Sequence, residues 1–252
     1  VKKLPTATVS FASRLNTREL PAQPILDVGG RPLLAYPIAA ARLCPLTEHV
    51  VVCTDSLQVV QPLEGHAIFW LDPDDRSWCP TQQIARGLGL LPAPYTDVDL
   101  IVCWHADEPE VRTYDLERLI LYAAEHTPGD CDIATLAARP RAGRDFRPSQ
   151  LKCVLGGIDP DQSGPVTDYT RAKRSEITSP YAAHTNVYAM QPAQLADFVE
   201  LAPTVRSIAE RIEQPTWLEA GLRVRALLTD HQPEPVRTPA DYARFRTRYG
   251  SL

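Results

Sequence analysis

Asp99-Leu100-Ile101-Val102-Cys103-Trp104-His105-Ala106-Asp107-Glu108-Pro109 is the stretch on which the fold turns. Leu100 to Trp104 is an unbroken apolar run of strand length, the pattern of a strand covered on both faces. It runs straight into a polar cluster. Ligands of open α/β sheets bind beyond the carboxyl ends of strands, so Asp107 is expected there, its carboxylate open to a cleft and suited to a hard cation. The alternative, weighted equally on position alone, is an acidic cluster facing a helix dipole.

Outward from this run, short apolar segments alternate with helix-period segments. Ala7 to Phe11, His49 to Thr54, Ala67 to Trp70, Cys131 to Ala137, Leu151 to Leu155, Asn186 to Met190 and Leu222 to Leu228 read as strands. Asp27-Val28-Gly29-Gly30-Arg31-Pro32 reads as a turn opening a helix, with Pro32 in its first turn. Thr81 to Leu90 (Thr81 as cap), Leu116 to Ala124, Ala193 to Leu201 and Val205 to Glu213 read as helices, and Thr238-Pro239-Ala240-Asp241 caps a last helix through Arg248. Interleaving of this kind predicts an α/β domain with a mixed, mainly parallel sheet flanked by helices. The 252 residues read as one domain, 1–252, without repeats or a linker.

Composition removes several classes. Lys and Arg total 26 against 31 Asp and Glu, a formal charge of −5, which argues against a nucleic-acid binder. No apolar run reaches the ~18 residues of a membrane helix, and Val1-Lys2-Lys3-Leu4-Pro5 lacks a long apolar region. Six scattered cysteines form no CxxC pair and read as small buried hydrophobes in a reducing, hence cytoplasmic, compartment.

Five groups could carry chemistry. Arg14, Thr17, Arg18 and Gln23 follow the first strand; guanidinium forks and hydroxyls suit a triphosphate, and an ordinary solvated loop is the alternative. Asp107 and Glu108 form the second group. His184, Asn186 and Tyr188 point to one strand face, since side chains alternate in steps of two; a hydrogen-bonded structural histidine is the competing reading. Arg237 precedes a helix cap, and Glu210 lies in a helix with Arg206 and Arg211. Taken locally, both read as solvated.

Together these segments resemble the CMP-Kdo synthetases (3-deoxy-manno-octulosonate cytidylyltransferases) and, more distantly, the CMP-sialic acid synthetases. Glu19 to Leu33 is similar to the family's R-L-P-G-K-P-L-x-x-I-x-G-K-P-M, Val51 to Asp55 to its V-A-T-D, and His105 to Pro109 to its Q-G-D-E-P. Leu151 to Leu155 is similar to x-V-K-V-V, His184 to Tyr188 to H-x-G-x-Y, and Val236 to Asp241 to V-D-T-P-E-D. The resemblance spans nearly the whole chain in order. It implies a GT-A-like nucleotidyltransferase fold, a small insertion at about 139–180 that packs on a second subunit of a homodimer, and transfer of CMP from CTP to an acidic acceptor with release of pyrophosphate.

The same resemblance implies site residues. Arg14 (or Arg18) would hold the triphosphate with Thr17 and Gln23; Thr54, Thr81 and His105 would line the nucleotide side. Asp107 would hold Mg2+. His184, Tyr188, Glu210 and Arg171 would face the acceptor, a sugar acid or a phosphonate. The departures are specific: Gln23 stands for a phosphate-binding lysine, Glu19 for an arginine, Cys79-Pro80-Thr81 for S-G-T, and Arg237 for the second magnesium-binding aspartate. Arg237 is expected in the same cleft as Asp107, doing part of the metal's work as a fixed cation. A catalytically degenerate relative that binds a ligand without turnover is the alternative.

Overall fold

The computed structural model describes residues 3–17, 19–140 and 150–250, apart from the side chain of Arg174. The chain opens with β1 (Ala7–Ser13), the hairpin β2 (Asp27–Val28) and β3 (Arg31–Pro32), and α1 (Ala35–Leu43). Next come β4 (Thr47–Thr54), α2 (Leu57–Val60), β5 (Ile68–Leu71), α3 (Pro80–Leu90), β6 (Leu100–His105) and α4 (Thr113–His126). β7 (Ile133–Ala138), β8 (Lys152–Leu155), β9 (Ser163–Thr170) and β10 (Tyr181–Met190) follow. The chain closes with α5 (Pro192–Asp197), α6 (Val205–Glu210), α7 (Gln214–Glu219), β11 (Val224–Thr229) and α8 (Pro239–Tyr249).

Nine strands form one sheet in the order β5-β4-β1-β6-β10-β7-β11-β9-β8. β5, β4, β1 and β6 are mutually parallel, whereas β10 runs antiparallel to β6 and to β7. The period-two alternation of the central strands feeds two cores. Val9, Phe11, Val52, Val102 and Trp104 join α1 and α4 residues on one face. Val51, Cys53, Ile101 and Cys103 meet Ile84 and Leu88 of α3 and Trp217 of α7 on the other. Each fully buried side chain of this size contributes roughly 1.5–3 kcal/mol, which is why these runs are apolar on both faces. The six cysteines are buried and unpaired, as expected of small hydrophobes.

The structure departs from expectation at Pro32, at Thr81 and at the end of the helix from Val205. Pro32 lies in β3, not in a helix; Gly29 (φ 59°) and Gly30 (φ 82°) form the tight turn of the β2–β3 hairpin, and α1 begins at Ala35. α3 is capped by Cys79, whose sulfur accepts from Gln82 N, so Thr81 lies within the helix. α6 stops at Glu210 and does not reach Glu213. Of the segment 139–180, residues 141–149 lie outside the described residues. Its remainder supplies β8 and β9, which pair with β10 and β11 and put Cys153, Leu155 and Tyr169 into this chain's own core. Among the described residues no helix is long and apolar enough to cross a membrane.

Candidate active site

β1 and β6 are adjacent and in register, Ala12 opposite His105, so the loops leaving their carboxyl ends face one another. A cavity of about 400 Å³ opens there, lined by Arg14, Thr17, Gln23, His105, Asp107 and Arg237 among others. A second, of about 250 Å³, continues beyond it and is lined by Arg171, His184, Asn186 and Gln214 among others. The two share Pro80, His105, Asp107, Arg211 and Arg237 as a common wall. The cleft therefore has two halves that meet just past the end of β6.

Arg237 and Asp107 form the centre of that wall. Arg237 Nε donates to Asp107 Oδ2, and its Nη2 lies 3.1 Å from Glu108 Oε1. The arginine is held from behind: Thr238 and Asp241 form a capping box on α8, and Arg237 N donates to Asp241 Oδ2. Val236 N donates to Asp107 O at 2.8 Å and Val236 O accepts from Gln23 Nε2 at 2.9 Å, tying the β1 loop, the β6 end and the α8 approach together. Burial alone would raise the Asp107 carboxyl, but the Arg237 guanidinium outweighs it and holds the group below its usual value. For Glu108 burial prevails over the pull of Arg237, and its carboxyl is pushed up to about 7.

Glu213 is a residue that the sequence reading missed, as is its neighbour Gln214. Glu213 is almost wholly buried, with Oε1 2.9 Å from both His105 Nε2 and Thr81 Oγ1, and Oε2 accepting from Thr81 N. Burial works to raise its carboxyl, but His105 and these hydrogen bonds prevail and hold it below the usual value. A carboxylate on the first turn of α3 also complements that helix's positive end. His105 is thereby fixed with Nε2 toward Glu213, and its pKa is raised: desolvation opposes the charge, Glu213 more than compensates.

Arg14 and Thr17 line the first half, Arg14 being held to Asp75 at 2.8 Å and to Ser77 O. Gln23 also lines it, although its amide nitrogen is committed to Val236. Arg18 lies outside the described residues. Thr54 is not brought to the cleft: it is buried in the sheet, where its hydroxyl accepts from Ser56 N, and the neighbouring Asp55 instead anchors Leu15 N at 2.9 Å. Thr81 too is buried, its hydroxyl and backbone N–H both donating to Glu213.

In the second half His184 and Arg171 line the wall. His184, Asn186 and Tyr188 do share a face: His184 Nε2 lies 2.7 Å from the Tyr188 hydroxyl, which donates to Asn186 Oδ1 at 3.2 Å. Tyr188 is fully buried behind them and supports the wall rather than forming it. Burial, with His105 and Arg237 nearby, keeps the His184 imidazole neutral, well below its usual pKa. Glu210 is placed outside the cleft lining; its carboxylate pairs with Arg206, and its backbone carbonyl receives Arg171 Nη1 at 2.8 Å. The acidic residue of this segment that lines the cleft is Glu213, three positions on.

The donor set bears on a divalent cation. No group of three or more His, Cys, Asp or Glu among the described residues is arranged as a metal cage. Asp107 Oδ1, however, is buried with no hydrogen-bond partner, while Oδ2 is taken by Arg237. One free carboxylate oxygen fits a magnesium ion that takes one protein ligand and completes its shell with phosphate oxygens and water. Gln214 Oε1 is likewise buried and unpartnered.

A two-part cleft at the carboxyl edge of parallel strands, lined by several arginines and by Asp107, defines an α/β nucleotidyltransferase. Its sequence is matched over residues 12–224 by the model of the family described as cytidylyltransferase. The chain belongs to that family and is a nucleotidyltransferase. It is 32% identical over 244 residues to the 3-deoxy-manno-octulosonate cytidylyltransferase of Methylobacterium nodulans, covering 94% of each chain. It is 27% identical over 251 residues to the enzyme of the same name from Chlorobium chlorochromatii, covering 96% of each. Its fold is shared with a CMP:2-keto-3-deoxy-manno-octonic acid synthetase complexed with CTP (TM-score 0.80, 22% identity, covering 96% of this chain and 98% of that one). It is shared more loosely with the 4-diphosphocytidyl-2C-methyl-D-erythritol synthase of Anaerococcus prevotii (TM-score 0.59, 10% identity, covering 98% of this chain and 97% of that one).

Proposed function

We propose that this enzyme transfers CMP from CTP to a hydroxylated acid, a sugar acid of the 3-deoxy-manno-octulosonate kind, and releases pyrophosphate. The observation that carries the reading is the shared wall: two cavities that meet at His105, Asp107, Arg211 and Arg237 suit two substrates that react where they touch. The relatives named above add the substrate class. The half that Arg14, Thr17 and Gln23 line takes the nucleotide. The half that Arg171 and His184 line takes the acceptor, with the unpartnered Gln214 Oε1 accepting from an acceptor hydroxyl.

The residues divide the work by charge. Arg14 faces the triphosphate as a guanidinium already fixed in place by Asp75. Arg237 is a fixed cation at the junction of the halves, stabilising charge that develops on phosphate oxygens. Asp107 Oδ1 is the protein ligand for Mg2+, which when bound neutralises phosphate charge and polarises the phosphoryl group. His105, aligned by Glu213, sits at the junction and orients what binds there. The active unit is a homodimer, which light scattering tests: a mass near 56 kDa, about twice the 27.9 kDa chain, supports it and a stable monomer at micromolar concentration opposes it.

The function is tested by incubating the protein with CTP and a panel of sugar acids and phosphonates, and analysing products by mass spectrometry. A CMP ester of a sugar acid supports the reading. CTP hydrolysed to CMP without an ester would replace transfer with hydrolysis, and no product with any acceptor would replace it with simple binding.

A further inference from the structure

We infer that Arg211 contacts the phosphate during its transfer, and bridges it to the acid group of the acceptor; the inference rests on the nucleotidyl-transfer reading above. Arg211 ends α6 with φ 55° and ψ 48°, the left-handed region that favours glycine. Ala22 and Gln162 are the other non-glycine residues with positive φ among the described residues. Strained backbone of this kind persists where the surroundings hold it, and it gathers at sites of function. Arg211 is exposed, and its guanidinium has no carboxylate partner among the described residues.

Arg211 nonetheless lines both halves of the cleft. The other three guanidinium groups of the cleft are committed. Arg14 is bound to Asp75, Arg237 to Asp107 and Glu108, and Arg171 to the Glu210 carbonyl. Among the described residues Arg211 is thus the cation that reaches both halves without a protein acid to neutralise it. The left-handed residue ends α6 at the cleft, and Glu213 two residues later is buried.

The group shared between the halves is the α-phosphate. The acceptor oxygen forms a bond to phosphorus as the bond to the pyrophosphate oxygen breaks. The electron pair leaves with pyrophosphate, and the acceptor's proton passes to solvent. A guanidinium fork matches the non-bridging phosphate oxygens. Because Arg171 also lines the acceptor half, an acceptor bearing a carboxylate or phosphonate near its attacking hydroxyl is preferred to a neutral sugar.

Arg211→Gly separates this role from a structural one, because glycine relieves the backbone while deleting the charge. We expect a melting temperature equal to or above that of the unchanged enzyme. Affinity for CTP by calorimetry should fall roughly tenfold, the loss of one charge-assisted contact. The rate kcat of pyrophosphate release should fall further, by roughly tenfold to a hundredfold, and Arg211→Lys should restore part of both. Arg211→Gly with unchanged CTP affinity and unchanged kcat would overturn the inference. If the unchanged enzyme binds CTP yet releases no pyrophosphate with any acceptor, the nucleotidyl-transfer reading fails. The CTP affinity of Arg211→Gly then decides the phosphate contact alone, a tenfold loss supporting it and no loss overturning it.

Discussion

Arg237 Nε donates to Asp107 Oδ2 across 130 residues of sequence, and the same guanidinium reaches Glu108 with Nη2. One cation therefore pairs with two neighbouring acidic side chains, holding Asp107 ionised while burial keeps the Glu108 carboxyl up at about 7, at the point where the two halves of the cleft meet. The pairing joins the end of β6 to the start of α8. It makes the carboxyl-terminal segment part of the site rather than a peripheral helix.

Removing that cation should be felt first as stability. Arg237→Ala leaves Glu108, 2% exposed, without its charge partner. Because Arg237 itself is partly exposed, the expected loss is about 2–3 kcal/mol rather than the larger cost of a fully buried pair. Urea denaturation at neutral pH measures it.

The exchange of Arg237 for aspartate tests its part in binding. Arg237→Asp turns a fixed cation into a second carboxylate beside Asp107. Calorimetry should show weaker CTP binding at low magnesium and a steeper dependence on added magnesium. An unchanged magnesium dependence would remove Arg237 from the phosphate environment.

Asp107→Asn keeps the shape of the side chain and removes its charge. Magnesium-dependent CTP binding should weaken by roughly tenfold or more, with circular dichroism unchanged. Equal CTP affinity in magnesium for variant and unchanged enzyme would dismiss Asp107 as the ligand.

Glu213 should make stability depend on pH. Its carboxyl lies below its ordinary value because His105 and the Thr81 and Cys79 hydrogen bonds outweigh burial. An acid whose folded-state pKa is depressed stabilises the fold above its unfolded pKa of ~4.5, and that contribution disappears as pH falls through the lower folded value. Glu213→Gln should therefore be less stable than the unchanged enzyme at pH 6, with the gap narrowing as the solution is acidified below pH 4.5. A gap that is constant from pH 6 to pH 3 would show that the carboxylate charge is not what stabilises the site.

Much of this arrangement is legible in the chain. Leu100 to Trp104 is apolar because β6 is covered on both faces, and Asp107 follows at the strand's carboxyl end, the edge where ligands of open α/β sheets bind. Thr238 and Asp241 announce the start of α8 through the capping box. Other features leave weaker traces. Glu213 reads as one more charged residue of a helix from Val205 because no glycine or proline marks the break. The helix ends where Arg211 adopts a left-handed conformation that ordinary sequence patterns do not assign to arginine. The β2–β3 hairpin is concealed for the opposite reason: Gly29-Gly30 marks a turn, yet Pro32 beside it also suits a helix start. Tyr188 and Thr54 lie in the predicted strands, but period-two alternation says which face a residue occupies and not whether a second layer covers it.

The measurement that bears most directly on the whole account is pyrophosphate release, followed with each of the four nucleoside triphosphates against acidic and neutral acceptors in magnesium. The account predicts release with CTP that depends on a hydroxylated acid, with neutral sugars and acceptor-free controls near background. Release that is independent of the acceptor, or none with any pair although CTP is bound, would contradict it.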